Sequence, residues 1–281
     1  ENDEMMVTSN FHTHTTYCDG KSTAEETVLA AIEKGMTALG FSGHAYTPFD
    51  ASFCMSLEDT AKYRAEINRL KQKYAGQIDI YCGLEMDYFS EADTNGFDFL
   101  IGSVHYVKKN GAFLSVDGCA FQENVHCGYH GDYYAFAEDY FALVSRVAEK
   151  TKADIIGHFD LITKFNEGEK LFSESNPRYE KTWDAELRAL IPFGKPFEIN
   201  TGAMQRGYRS SPYPAVPILK KIQEYGGKII IASDCHQADA VDFAFDTAVE
   251  IAKKSGFQSA YTLAGAPKAP LSLSEFSLAR L

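Results

Sequence analysis

The chain reads as an α/β protein whose parallel strands close, or nearly close, into a barrel. Short apolar runs of strand length alternate with longer amphipathic stretches, the signature of βα units building a mostly parallel sheet covered on both faces. At least seven such units are countable, which favours a barrel over an open sheet. The 281 residues suit one barrel of ordinary size, so residues 1–281 are read as a single domain.

Met6 to Thr15 is the first strand, and its period of two sends His12 and His14 to one face, Phe11 and Thr13 to the other. Ser22-Thr23-Ala24-Glu25 has the form of a capping box; Ala24, Val28, Ala31 and Ile32 follow at helical spacing, and Gly35 closes the helix. Ala38 to His44 is a short apolar strand. Ser56-Leu57-Glu58-Asp59 opens a helix to about Tyr74, and Ile78 to Tyr88 is the next strand. Phe99 to His105 and Ala153 to His158 repeat the strand pattern, the second after a helix near Tyr133 to Lys150. Lys195 to Asn200 and Lys228 to His236 each follow a further helix, and the last helix runs from about Asp239 to Ser255. Lys108 to Asp132, rich in Gly, Cys and His, reads as a long loop over one rim.

Composition narrows the function. A net charge of -12 repels a phosphate backbone at long range and argues against a nucleic-acid binder. The six cysteines are scattered without a Cys-x-x-Cys pair, as free thiols in a reducing cytoplasm would be. The opening residues are acidic and show no secretory signal, and residues 1–5 are read as cloning-derived or disordered. No run approaches the roughly 20 apolar residues of a membrane span, so a cytoplasmic protein is expected.

The chemistry-bearing residues gather at strand ends. His44, His105, His158, Asp234 and His236 lie at the carboxyl ends of their strands and Glu85 late in its own, and in a barrel those ends share one rim. Six of the eight histidines occupy these ends or the opening His12-x-His14 pair. Asp234-x-His236 has the same spacing, so both side chains face one site if the strand extends that far; a buried salt bridge is the alternative. Glu85 in an apolar strand needs cations nearby. With Asp19 the candidate ligands number nine, too many for one four-coordinate ion, and two or three divalent ions fit better. Zinc, manganese and iron all suit such donors. Closely spaced ions suit hydrolysis of a phosphoester. His126 and His130 read as solvated loop histidines, and Cys18 and Cys235 as pointing away from the ligands beside them.

Phe11-His12-Thr13-His14, Phe41-Ser42-Gly43-His44, Gly83-Leu84-Glu85, Gly102-Ser103-Val104-His105, Gly157-His158-Phe159-Asp160-Leu161 and Ser233-Asp234-Cys235-His236 resemble the ordered motifs of the polymerase-and-histidinol-phosphatase (PHP) superfamily. Val116-Asp117-Gly118 and Glu198-Ile199-Asn200-Thr201-Gly202 resemble its histidinol-phosphatase branch. The resemblance implies a distorted TIM-like (β/α)7 barrel of PHP type with a trinuclear metal site. His12, His14, Glu85 and Asp234 would hold one ion; Glu85 would bridge to a second held by His105 and His158; Asp19, His44 and His236 would hold a third. Other members carry His where this chain has Asp19.

The activity implied is removal of phosphate from L-histidinol phosphate in histidine biosynthesis, by in-line attack of a metal-bridging hydroxide on phosphorus. Arg206, just beyond a strand end, is placed to clamp phosphate oxygens. Lys164 is a second candidate where the resemblance leads one to expect Arg; for both, a solvated surface charge is the alternative. Asp234 and His236 are candidate proton donors to the leaving group. Tyr17, Tyr46, Phe49, Asp117 and Tyr129 lie in loops that could receive the imidazole end. A phosphoesterase acting on nucleotides or other small phosphomonoesters would use the same site, an amidohydrolase would ask for a bridging lysine that no apolar strand offers, and a metal-binding module without catalysis is the alternative from a different class.

Overall fold

The structure, a computed structural model, describes residues 7–265 and 270–281. Residues 1–5 and Met6, the expected start of the first strand, lie outside the described residues. In chain order the elements are β1 (Ser9–Asn10), α1 (Ala24–Glu33), β2 (Ala38–His44), α2 (Leu57–Lys73), β3 (Asp79–Asp87), β4 (Phe99–Ser103), β5 (Tyr106–Lys109) and β6 (Ala112–Ser115). There follow α3 (Phe121–Tyr129), α4 (Tyr133–Thr151), β7 (Ile155–Ile156), α5 (Pro177–Leu190), β8 (Pro196–Asn200) and α6 (Gly202–Gln205). The chain ends with α7 (Val216–Glu224), β9 (Lys228–Ala232), α8 (Phe245–Lys254), β10 (Ser259–Ala264) and β11 (Ser272–Ser277).

Seven parallel strands form the wall, in the order β1-β2-β3-β4-β7-β8-β9. The wall closes where Thr13 pairs in parallel with Cys235, the His14 N–H donating to the Cys235 carbonyl at 2.9 Å. At the amino end the seam is spread: β10 pairs with β9 at Tyr261–Ile230, while Thr262 meets Ser9 through hydroxyls 2.8 Å apart. β11 extends β10 as an antiparallel ribbon. The result is the distorted TIM-like barrel that the sequence predicts.

Two apolar clusters hold it. The larger packs the helices against the outside of the wall. The smaller joins Phe11, Phe99, Ile101, Ile155, Ile230 and Leu263, which come from strands all round the barrel and so meet inside it, toward the amino ends. Phe99 and Phe11 lie edge to face, ring centroids 5.2 Å apart. This plug leaves the carboxyl ends of the interior to polar side chains.

Several elements differ from the sequence reading. The first strand is only two residues long, because the Asn10 side-chain oxygen accepts from the His12 N–H at 3.1 Å and turns the chain out of the strand. Phe11 therefore joins the inner plug instead of pointing outward. The first capping box is shifted by one: Thr23 accepts from Glu26 N–H while the Glu26 carboxylate accepts from Thr23 N–H. β4, β7 and β9 stop short, so His105, His158, Asp234 and His236 stand on the loops just past them. The last helix starts at Phe245, after a single 3-10 turn at Ala238–Ala240. The stretch 108–132 is no open loop, for it completes the hairpin β5–β6 and forms α3. His126 lies on α3 and His130 caps it, both exposed.

A methyl group on Gly83 would lie 2.5 Å from the Phe99 ring. The Gly83→Ala variant is therefore expected to be destabilised by about 1–3 kcal/mol in denaturant unfolding, with Phe99→Leu in the same chain recovering part of the loss.

Candidate metal centre

β3 brings Glu85 to the middle of the barrel mouth, 1% exposed, and five imidazoles surround its carboxylate. Oε2 stands 3.1 Å from His12 Nε2, 3.3 Å from His14 Nε2 and 3.1 Å from His44 Nδ1. Oε1 stands 3.0 Å from His158 Nε2 and 3.2 Å from His105 Nε2. Asp234 adds a second carboxylate, its Oδ1 3.1 Å from His14 Nε2 and 3.4 Å from His12 Nε2. On the outer side Asp19 Oδ1 lies 3.3 Å from His236 Nε2 and 3.6 Å from His44 Nε2.

Asp19 reaches this point because its turn folds back tightly on Thr15. The N–H groups of Cys18 and Gly20 both donate to the Thr15 carbonyl at 3.0 Å, and a Cβ on Gly20 would lie 2.6 Å from Thr15 N. Asp234 is placed by a left-handed backbone, φ 49°, not by strand alternation. The strand rule expected for Asp234-x-His236 thus fails, since β9 has already ended, although both side chains reach the site.

These distances are those of a donor shell. Nitrogen and oxygen ligands about 2.0–2.1 Å from a tetrahedral zinc lie about 3.3 Å from one another. Three groups have donor atoms all within 4.8 Å: His12, His14 and Asp234; His44, Glu85 and His105; and His14, Asp19, His44 and His236. His14 and His44 each belong to two of them, where the sequence reading gave each to one ion.

The hydrogen-bond ledger points the same way. His12 Nδ1 lies 2.7 Å from Glu198 Oε2, and because a carboxylate only accepts, Nδ1 carries the hydrogen and Nε2 turns a lone pair toward Glu85 and Asp234. His12 Nε2, His14 Nε2 and Glu85 Oε2 are buried without a hydrogen-bond partner. Lone pairs facing carboxylates in a buried site require a cation or a proton between them. The residues present therefore fit divalent ions. Without an ion, protons do the work. Burial opposes charge on His12, yet Asp234, Glu198 and Glu85 raise its pKa to about 10. Burial likewise opposes ionisation of Glu85 and Asp234, but His12 and its neighbours hold both well below the usual carboxylate range. Burial and the nearby His14 lower His236, leaving it neutral.

Sequence reasoning passed over the carboxylates behind the ligands. Glu198 on β8 backs His12, and Asp87 on β3 accepts from the His105 N–H at 2.7 Å and faces its Nδ1 at 3.3 Å. Each is a charged residue in an apolar strand, the signal that singled out Glu85. Cys18 also differs from expectation: its Sγ faces His14 Nδ1 at 3.5 Å. Cys235 is buried in the larger apolar cluster.

The site opens into a cleft of about 170 Å³ lined by Asp19, His44, Glu85, His105, His158, Asp234 and His236, with His12 and His14 beneath. Arg206 and Lys164 also line it, beside Asp117, Leu161 and Tyr208. The Arg206 guanidinium donates to the Asp234 carbonyl at 2.9 Å and meets its carboxylate at 3.3 Å. Lys164 donates to the Asp117 carbonyl at 2.8 Å and pairs with its carboxylate at 3.3 Å. Burial opposes the Asp117 charge, but Lys164, His105 and His158 keep it ionised. Of the aromatic rim candidates, Tyr129 instead packs inside, bonded to Asp139. A larger depression of about 400 Å³ at the opposite end of β9 and β10 holds no carboxylate, histidine or cysteine.

Together these features define an α/β barrel with a buried, metal-competent cluster of histidines and carboxylates at the carboxyl ends of its strands. The family described as PHP domain matches residues 10–202, and the chain belongs to it. A "Probable histidinol-phosphatase" of Deinococcus radiodurans is 32% identical over 85% of this chain and 90% of its own length. The histidinol-phosphatase of Bacillus subtilis is 28% identical over 85% of this chain and 97% of its own. Among solved structures, the Lactococcus lactis histidinol phosphate phosphatase, complexed with zinc, L-histidinol and phosphate, superimposes with a TM-score of 0.67 at 22% identity, covering 92% of this chain and 97% of that one.

With the His12 pKa raised to about 10, an ion binding at neutral pH must displace its proton. Affinity should therefore rise with pH toward 10, roughly tenfold per unit for each proton displaced. Calorimetric titration of chelated protein with zinc, in two buffers of different ionisation enthalpy, should report proton release; binding without it would contradict the assignment.

Proposed function

We propose that this chain is a single-domain, metal-dependent phosphomonoesterase that hydrolyses L-histidinol phosphate to L-histidinol and phosphate. The observation that carries the reading is the pairing of a nine-residue ligand cluster with two cations, Arg206 and Lys164, on one small cleft. Two relatives named for this activity match along 90% and 97% of their own lengths, so the likeness runs through the whole catalytic unit. A step in histidine biosynthesis follows from that substrate.

Two or three divalent ions of zinc, manganese or iron are proposed as cofactors. His12, His14, Glu85 and Asp234 would hold one, Glu85 with His105 and His158 a second, and Asp19, His44 and His236 a third. Such ions, when bound, lower the pKa of water and offset the charge that builds on phosphoryl oxygens.

The chain's own residues do the rest. Arg206 presents a planar fork that can take two phosphate oxygens at once, and its bonds to Asp234 fix its direction. Lys164, steadied by Asp117, adds a point charge to the same cleft. The Asp117 carboxylate suits a cationic group on the substrate. Asp234 is held ionised and His236 neutral, which leaves protonation of the leaving oxygen to water. The cleft admits a small phosphomonoester, and a net charge of -12 disfavours nucleic acid. Among the described residues no helix is long and apolar enough to cross a membrane. The six free cysteines suit the cytoplasmic location proposed here.

The test is phosphate release by metal-analysed protein from L-histidinol phosphate, beside sugar phosphates, nucleotides and p-nitrophenyl phosphate. A preference of about 10²-fold or more for histidinol phosphate is expected, lost in Asp234→Asn. Equal slow rates on every substrate would reject the histidinol assignment. Arg206→Gln should lower kcat/KM by about 10²-fold or more; an unchanged value would remove Arg206 from the phosphate site.

A further inference from the structure

We propose that Glu198 is a positioning residue: one buried carboxylate that fixes the tautomer of His12 and ties it to His158, so that metal affinity is set from outside the ligand set. The inference rests on the reading of His12 and His158 as metal ligands.

Glu198 lies on β8, 1% exposed, and every polar contact it makes is with an N–H group. Oε2 takes the His12 Nδ1–H at 2.7 Å. Oε1 takes the His158 backbone N–H at 2.6 Å and an amide hydrogen of Asn200 at 2.8 Å. The same Asn200 amide group reaches Asp234 Oδ2 at 3.2 Å. Ligands on three separate segments are thus joined behind the site through Glu198 and Asn200. The bond to His12 holds its hydrogen on Nδ1 and frees Nε2, which faces Glu85 and Asp234 at 3.1 and 3.4 Å. The bond to His158 fixes the backbone that carries its ring to within 3.0 Å of Glu85.

Three donors converge on a group that can only accept, which makes the isosteric amide informative. In Glu198→Gln the single amide oxygen can serve His158 and Asn200, turning the NH2 group toward His12 Nδ1. His12 must then accept there, and its hydrogen moves to Nε2, where an ion would bind. With the amide reversed, the NH2 group meets the His158 N–H donor to donor. Either arrangement damages the metal site while leaving side-chain volume unchanged.

Chelated wild type and E198Q are titrated with Zn2+ against a competing chelator, and with Co2+ while visible absorption is recorded. E198Q should bind its tightest ion about 10–100-fold more weakly, with altered cobalt bands, a signature that a general loss of stability would not produce. In a His12→Ala background the same change should cost no further affinity. Wild-type affinity in E198Q, or an equal loss with and without His12, would overturn the proposal. Should E198Q not fold, E198D, too short to span His12 and His158 together, should weaken Zn2+ binding, and unchanged binding would overturn it. Wild type that binds no metal tightly would instead overturn the metal reading itself.

Discussion

A single carboxylate, that of Glu85, is the point on which the barrel mouth depends. Five imidazoles stand within 3.0–3.3 Å of its two oxygens, and it is buried under all of them. A carboxylate removed from water is costly unless positive charge accompanies it. Here that charge comes from protons or from ions, and the geometry suits ions: an oxygen on either side lets one group serve two centres. The five histidines come from four separate segments, so the carboxylate is also what gives the separate strand ends a common target.

The barrel supplies the platform by dividing its interior. Phe11, Phe99, Ile101, Ile155, Ile230 and Leu263 fill the amino end, and the ligands fill the carboxyl end. Close contact of Phe99 with Gly83 and Gly40 brings the plug against the wall. The seam between the first and last wall strands matters as much. The Thr13–Cys235 bridge holds His12 and His14 beside Asp234, while β10 spreads the other end of the same seam. Distortion and site assembly are therefore two ends of one feature.

Much of this was legible in the sequence, for reasons that differ by residue. His44 and Glu85 lie within regular strands, where alternation dictates their side: Gly40 and His44 share one face of β2, Gly83 and Glu85 one face of β3. His105 and His158 follow their strands closely enough for the rim argument to hold. His12 and His14 do meet one site, but the Asn10 turn, not an unbroken strand, sets Phe11 and His12 both inward. Asp234 needed a left-handed residue that no periodicity reveals. Asp19 depends on a turn closing onto Thr15. Glu198, Asp87 and Cys18 act on ligands distant in the fold or in unanticipated directions, and only the three-dimensional arrangement shows their partners.

The most direct test of the Glu85-centred account is anomalous diffraction from crystals of the metal-loaded protein. Two or three ions should appear at the mouth of the barrel, at least two of them about 3.5–4 Å apart with a Glu85 oxygen on each. A single ion that does not touch Glu85, or ions bound elsewhere on the molecule, would contradict it.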